Sequence, residues 1–297
     1  MCSSDLSSDR ANKDGDHMTY PIQIDEHDIR IFQDQGFLVM EDILSPAALS
    51  RYGAAVDAQV NERTVGDARS VEDKSTYEQS FIQCMRLWET CPTVRELSCD
   101  PGLAGIAAQL LGTPSVLLWQ DQALYKEPGG RETTPHQDQT FWPIGKAPLV
   151  SAWIPFDDVP VDGGAMSYVS GSHRKGGLRV VDITHSTEPY NILDDPSLAE
   201  LALETVTAKA GSVTWHHGFT VHQATANTRN ETRRVFTIVY IASGYQRIKA
   251  WPVFPLDRAG VAVGEIMQGE GLPVVWPPQA DLPSPPEQTG QATGPQH

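Results

Sequence analysis

The chain has 297 residues, 40% of them hydrophobic, which is enough for one large domain with a buried core. Its formal net charge of −16 argues against a nucleic-acid partner, because phosphate binding relies on clustered Lys and Arg. No segment reaches the roughly 18 apolar residues of a membrane span, and the N-terminus is too polar for a secretory signal, so we expect a soluble, cytoplasmic monomer or homodimer.

The composition changes twice along the chain, and these changes predict three regions. Residues 1–18 are rich in Ser and Asp and almost free of apolar side chains, so we expect them to be disordered. Residues 19–255 predict a single folded domain, and residues 256–297 predict a Pro-rich extension that is disordered after about residue 279. Within that extension, residues 261–276 carry enough apolar area to dock on the domain or to cover its pocket.

Helix signals are confined to the first third of the chain. Asp25 or Asp28 is a suitable N-cap for a first helix, which Gly36 ends. Ser45 is a suitable N-cap for a second helix, because a proline follows it at the first helical position. A third helical stretch is predicted over residues 93–111.

Short β-type segments dominate the rest of the chain. Gly, Pro and Asp separate them, and this pattern is typical of a sandwich or barrel. The predicted strands cover residues 37–40, 116–119, 123–126, 134–142, 149–156, 165–169, 212–217, 220–225 and 233–241.

The four cysteines, Cys2, Cys84, Cys91 and Cys99, lack Cys-x-x-Cys spacing. The stretch from Cys84 to Cys99 has a helical pattern. We therefore expect reduced thiols, with Cys91 the most exposed, and neither a zinc site nor a disulfide framework.

A His-x-Asp pair, His136 and Asp138, lies in one predicted strand. Because side chains alternate along a strand, both project to the same side, where they can bind a metal. A third ligand is needed, and His216, His217 and His222 are all candidates. Two imidazoles and one carboxylate with open coordination positions form the ligand set of non-haem Fe(II) oxygenases, although zinc binds such a set too.

Arg233 and Arg234 adjoin on the last predicted strand, so one faces inward and the other outward. An inward guanidinium is costly to bury unless it meets an anion, and its fork matches a carboxylate. The pair therefore predicts a buried anion site.

Together these motifs resemble the phytanoyl-CoA dioxygenase-like Fe(II)/2-oxoglutarate oxygenases over roughly residues 24–245. Five segments carry the resemblance: the opening helix and strand, the metal pair, the central strand, the Gly-Ser-His turn, and the distal ligand with the arginine that follows it. They are Phe32–Val39, His136-Gln-Asp138, Ser151–Val159, Gly163–His173, and His217-Gly-Phe-Thr-Val-His222 with Arg233 eleven residues later. Ser170 departs from the proline that is frequent in the family at that position of the turn.

The resemblance implies a mainly β fold, a double-stranded β-helix or jelly roll (cupin-like), with N-terminal helices covering one sheet. It implies metal ligands at His136, Asp138 and His222, a 2-oxoglutarate C5 carboxylate held by Arg233 and Lys126, and a co-substrate pocket lined by Trp153. His173 is expected to stabilise its turn and not to bind metal. Trp153 is equally well explained as a core aromatic.

The implied reaction is hydroxylation of an unactivated C–H bond of a small molecule, with release of succinate and CO2. Its cofactors are Fe(II), 2-oxoglutarate and O2, with ascorbate as a supporting reductant. The presence of Asp138 argues against a halogenase that vacates the carboxylate position for chloride. Four side chains beside the presumed pocket are candidates for substrate contact: Gln122, Gln139, Phe141 and Trp142.

The residues do not specify the substrate, although the acidic chain disfavours a CoA thioester. The alternative function is a jelly-roll metal-binding protein, either cupin-like or a degenerate family member, without oxygenase activity. Arg233 distinguishes the two, because a simple cupin metal site has no need of a buried arginine.

Overall fold

A computed structural model describes residues 22–186, 188–287 and 289, so the predicted disorder of residues 1–18 lies outside the described residues. The helices are α1 (Glu26–Gln35), α2 (Pro46–Thr64), α3 (Leu87–Thr90), α4 (Pro92–Ser98), α5 (Pro101–Leu111) and α6 (Phe254–Arg258). The strands are β1 (Phe37–Met40), β2 (Ile82–Met85), β3 (Val116–Lys126), β4 (Thr133–His136), β5 (Leu149–Pro155), β6 (Met166–Val169), β7 (Leu203–Val206), β8 (Val213–His217), β9 (His222–Ala224), β10 (Arg233–Ala242) and β11 (Val274–Trp276).

The strands form two antiparallel sheets, as expected for a jelly roll. The larger sheet has the order β1-β8-β5-β10-β3-β11, and β2 pairs with β3 beside this path. The smaller sheet has the order β4-β9-β6-β7. Consecutive strands of the chain alternate between the sheets in several places, so residues distant in sequence meet in the space between them.

The two predicted N-terminal helices begin at their predicted capping residues, and α1 also ends where predicted. The Asp25 carboxylate accepts from the backbone N–H of His27 at 2.7 Å, and Gly36 ends α1 in the left-handed conformation (φ 82°). Ser45 Oγ accepts from the N–H of Ala48 at 3.1 Å to cap α2. With α4 and α5, these helices pack on the outer face of the larger sheet and share its main core.

The third predicted helix is two helices, because the chain breaks at Cys99. Asp100 caps α5 by accepting from the N–H groups of Gly102 and Leu103, and a proline follows the cap. Strand β3 is continuous where two strands were predicted, and β2, which contains Cys84, was predicted to be helical. The thiols of Cys84, Cys91 and Cys99 are free, and Cys91 is the half-exposed one.

None of the helices in the described part of the chain is both long and apolar enough to cross a membrane.

The C-terminal extension docks on the domain through residue 276. Strand β11 pairs with β3 at the edge of the larger sheet, and Val275 joins the main core at 4% exposure. Met267 and Leu272 are each 2% exposed and belong to a second apolar cluster, which packs against β3 and β10. None of these side chains lines the cavity between the sheets, so the segment supports the sheet and does not cover the pocket.

A chain that ends at Ala259 should therefore have a free energy of unfolding several kcal/mol lower than that of the full chain. It loses β11 and four buried apolar side chains, each contributing about 1.5–3 kcal/mol: Val261, Met267, Leu272 and Val275. Urea denaturation of this truncation, beside one that ends at Gln279, measures the effect. Equal midpoints for both truncations would show that the segment adds no stability.

Candidate active site

Three side chains that are far apart in sequence meet between the two sheets. His136 ends β4 and His222 begins β9, and these residues are direct cross-strand neighbours, with ring centroids 4.4 Å apart. Asp138 begins a 3-10 turn just after β4. One ligand atom from each of the three lies within 4.8 Å of the others.

The sequence predicted one continuous strand over residues 134–142, and this was wrong. The strand ends at His136, but Gln137 keeps an extended backbone (φ −120°, ψ 125°), so His136 and Asp138 still point to the same side. The amide of Gln137 points away from them and is buried at 1% exposure. It donates to the carbonyls of Gly176 and Phe219 and accepts from the N–H of Leu178.

Each histidine ring of the cluster is oriented by the backbone carbonyl two residues before it. Nδ1 of His136 lies 2.7 Å from the carbonyl oxygen of Thr134, and Nδ1 of His222 lies 3.0 Å from that of Thr220. A ring nitrogen that faces a carbonyl must carry the proton, so Nε2 of each ring has its lone pair free. Both Nε2 atoms face Oδ1 of Asp138, at 3.4 and 3.6 Å.

The electrostatics favour the protonation states that bind metal. Burial lowers the pKa of His222 to about 3, so its imidazole is neutral at physiological pH. Burial opposes ionisation of Asp138, but the surrounding histidines hold the pKa of its carboxyl well below the usual range. A neutral His222 imidazole and an ionised Asp138 carboxylate suit the ligand set of a non-haem Fe(II) ion.

Three further histidines near the site have different surroundings. His217 accepts from the N–H of Phe219 through Nδ1 and packs against His173, so it lies outside the cluster. His173 donates through Nε2 to the carbonyl of Gln33 and thereby connects its turn to α1. His216 lies inside the cluster, with Nε2 3.2 Å from Oδ2 of Asp138.

The sequence analysis did not predict that His216 and Ser151 orient the carboxylate of Asp138. They are cross-strand neighbours on β8 and β5, and each approaches Oδ2 of Asp138 at 3.2 Å. The second oxygen of the carboxylate is thus occupied, and Oδ1 alone faces His136 and His222. The pairing between β5 and β8 is what brings these two residues together, and a local sequence pattern does not reveal which strands pair.

Replacing His216 with Phe should weaken metal binding by about 10- to 100-fold, because it keeps the ring volume but removes a hydrogen-bond partner of a ligand. His216→Gln should bind almost normally, since its amide can still donate to Asp138. Calorimetric titration of apo protein with Mn(II) measures both. Normal affinity in His216→Phe would show that the contact has no role in binding.

Arg233 and Arg234 face opposite sides of β10, as predicted. Arg234 is half-exposed and holds Asp157 with two hydrogen bonds, of 2.8 and 2.6 Å, and Asp57 with a third. Arg233 is buried at 6% exposure, and its guanidinium donates to the carbonyls of Gly164 and Leu124. Among the described residues it meets no carboxylate, and its Nε is buried without a partner.

Burial lowers the pKa of Arg233 to about 10, so it stays charged at neutral pH. Trp153 lies beside it, with 5.6 Å between the guanidinium carbon and the ring centroid. Both line the same cavity as the metal cluster. The wall of this cavity therefore carries a charged guanidinium for which the protein supplies no counter-ion among its described residues.

Lys126 pairs directly opposite Arg233 on β3 but does not line the cavity. It is fully buried, and its Nζ donates to the carbonyl of Arg131 and lies 3.4 Å from Oγ1 of Thr133. Burial, with the charge of Arg233, lowers the pKa of Lys126 to about 6. Lys126 thus lies behind the cavity wall.

The empty space of this cavity, counted together with its opening to solvent, is about 920 Å³. Three of the four side chains predicted to contact substrate line it: Gln122, Phe141 and Trp142. Gln139 does not. It points into the loop that follows, where its amide donates to the carbonyls of Gly145 and Ala147 at 2.8 Å, because successive side chains diverge in a 3-10 turn.

Several lining residues were missed because they lie on or near β2, which was not predicted. They are Tyr77, Phe81, Gln83 and Met85. Gln83 and Met85 are two residues apart on β2, so strand alternation places both on the cavity side.

Comparison with known proteins agrees with this geometry. A family model described as "Phytanoyl-CoA dioxygenase (PhyH)" matches residues 32–235. "Phytanoyl-CoA dioxygenase domain-containing protein 1" of Danio rerio is 26% identical over 261 residues, covering 71% of this chain and 88% of the relative. A "Probable alpha-ketoglutarate-dependent hypophosphite dioxygenase" of Stutzerimonas stutzeri is 26% identical over 174 residues, 57% of this chain and 58% of the relative.

Solved structures agree as well. The "non-heme alpha ketoglutarate dependent carbocyclase SnoK from nogalamycin biosynthesis" superposes with a TM-score of 0.71 at 27% identity, covering 86% of this chain and 98% of that one. EctD from S. alaskensis, solved "with 2-oxoglutarate and 5-hydroxyectoine", superposes with a TM-score of 0.62 at 21% identity, over 84% and 91% of the two chains. The second likeness shows the shared fold.

Proposed function

The chain belongs to the phytanoyl-CoA dioxygenase family of Fe(II)- and 2-oxoglutarate-dependent oxygenases, and on this premise we propose that it hydroxylates an unactivated C–H bond of a small molecule. One observation carries the proposal. The two-histidine, one-carboxylate cluster shares its cavity with a buried arginine that has no carboxylate partner among the described residues.

Fe(II) would be held by Nε2 of His136, Nε2 of His222 and Oδ1 of Asp138. The lone pairs of both rings are directed by backbone carbonyls, and the carboxylate is oriented by Ser151 and His216. Three protein ligands leave open positions for 2-oxoglutarate and O2. Bound Fe(II) would supply the coupled oxidation of 2-oxoglutarate by O2, which gives succinate and CO2 and transfers one oxygen atom to the substrate C–H bond.

The C5 carboxylate of 2-oxoglutarate would pair with Arg233. The guanidinium already donates to two carbonyls, which fix its plane, and a carboxylate supplies the charge that burial otherwise leaves unbalanced. Trp153 would pack beside this carboxylate and exclude water from it. Lys126 lies behind the cavity wall, where burial lowers its pKa to about 6, so we propose that its amine adds no second full charge to this carboxylate.

A metal-binding protein without oxygenase activity fits this cavity less well. Such a protein has no use for a buried cation across the cavity from its metal, and burying Arg233 without an anion costs free energy.

We also propose a reducing, cytoplasmic location, supported by the free thiols of Cys84, Cys91 and Cys99.

The test is an anaerobic calorimetric titration of 2-oxoglutarate into protein with and without Mn(II), followed by an aerobic assay of succinate release with Fe(II). We expect metal-dependent binding of 2-oxoglutarate and Fe(II)-dependent succinate formation. Metal binding without any 2-oxoglutarate binding would overturn the proposal in favour of a simple metal-binding protein.

A further inference from the structure

Apart from the metal cluster and Arg233, the cavity is lined largely by apolar and aromatic side chains and by amides. Along β3, Gln120, Gln122 and Lys126 share one face, and Lys126 pairs with Arg233. Because a strand rises about 3.3 Å per residue, Gln120 lies roughly 20 Å along the strand from that pair. We give the name substrate wall to the amides of Gln83, Gln120 and Gln122 together with five further lining side chains: Tyr77, Phe81, Met85, Phe141 and Trp142.

The polar groups of the substrate wall are amides arranged in a chain. The Tyr77 hydroxyl donates to Oε1 of Gln83 at 2.9 Å, and Nε2 of Gln83 donates to Oε1 of Gln122 at 2.6 Å. This direction leaves the amide nitrogen of Gln122 without a partner in the described part of the chain. Gln120 is 6% exposed, and neither atom of its amide has a partner among the described residues.

The charges of the loaded site balance without the substrate. The two positive charges of Fe(II) and the one of Arg233 equal the charge of Asp138 and the two carboxylates of 2-oxoglutarate. Asp138 and Arg233 are the only Asp, Glu, Lys or Arg side chains among the described residues that line this cavity. A charged substrate would therefore be buried without a counter-ion, which is costly.

We propose that the primary substrate is an electrically neutral molecule with an apolar, ring-bearing body. Its body packs on the aromatic side chains of the substrate wall, and a carbonyl, amide or hydroxyl group bonds to the free amides of Gln120 and Gln122. An amide both donates and accepts, so it pairs with such groups and not selectively with ions. This inference rests on the proposed function, because the balance of charge includes Fe(II) and 2-oxoglutarate.

The test uses three probes with the same ring and different charge: 2-naphthamide, 2-naphthoate and 2-naphthylmethylammonium. Each is titrated by calorimetry into full-length protein loaded with Mn(II) and 2-oxoglutarate without O2. We expect the neutral amide to bind at least about tenfold more tightly than either ion, a difference on the scale of one uncompensated polar group. Gln120→Leu should weaken the amide about tenfold for the same reason, whereas Gln33→Leu on the exposed face of α1 should not.

Gln120→Lys provides an independent check that does not depend on lost binding. It should reverse the preference, so that naphthoate binds more tightly than naphthamide. Tighter or equal binding of either ion to the unmodified protein overturns the proposal, and so does failure of all three probes on protein that binds 2-oxoglutarate normally. Failure of 2-oxoglutarate itself to bind the Mn(II) protein is a different result, since it overturns the proposed function.

Discussion

Replacing His222 with alanine is expected to abolish 2-oxoglutarate turnover, and His136→Ala and Asp138→Ala should do the same. Each change removes one of three protein ligands, so the loss should exceed the roughly 10- to 100-fold effect of residues that only orient a ligand. The fold should survive, because these side chains line a cavity and take no part in the apolar cores. Metal content after Fe(II) loading and succinate release measure the effect, with thermal unfolding as the check on folding.

His217→Ala is the matched control for His222. Its ring is half-buried beside His173 and accepts a hydrogen bond from the N–H of Phe219, so its loss should affect stability and leave iron binding intact. If His217→Ala lost iron while His222→Ala retained it, the assignment of the third ligand would be wrong.

Arg233→Leu is expected to weaken 2-oxoglutarate binding by about 3 kcal/mol, roughly a hundredfold, since it removes a charge-assisted fork and leaves a buried carboxylate unpaired. Arg233→Lys should recover only part of the affinity, because an ammonium cannot make the two parallel contacts. Anaerobic calorimetry on the Mn(II) protein gives the dissociation constants.

Two controls separate this effect from general damage. Arg234→Leu removes ion pairs with Asp157 and Asp57 on the half-exposed face of the same strand, and it should leave 2-oxoglutarate affinity nearly unchanged. The second control is 2-oxopentanoate, which lacks the C5 carboxylate and should bind unmodified protein and Arg233→Leu about equally weakly. Equal losses at both arginines would contradict the inward assignment of Arg233.

The sequence predicted those elements whose signals are local. Asp25 and Gly36 set both ends of α1, and Ser45 sets the start of α2, through their own hydrogen bonds and backbone conformations. The break before α5 also had a local signal in Asp100 and the proline after it. The continuous apolar spacing of residues 93–111 obscured that signal, because apolar periodicity reports burial and not chain continuity.

Elements that depend on pairing were missed. Strand β2 contains Gln83 and Cys84 and becomes a strand because β3 pairs with it. The same limit applies to the site. The ligand residues were predicted from motif spacing, but the contacts of His216 and Ser151 require the register between β5 and β8, and Gln139 was misassigned because its strand was extended too far.

The buried amide of Gln137 limits local opening of this site. Its amide connects the segment that bears His136 and Asp138 to the backbones of Gly176, Leu178 and Phe219, which belong to two separate loops. Exposing the two ligand residues to solvent by a local fluctuation would require all three hydrogen bonds to break together. Amide hydrogens around residue 137 should therefore exchange only with larger, cooperative openings, in contrast to most loop segments that bear functional residues. The metal-binding segment is in this sense held in its ligand geometry before any metal binds.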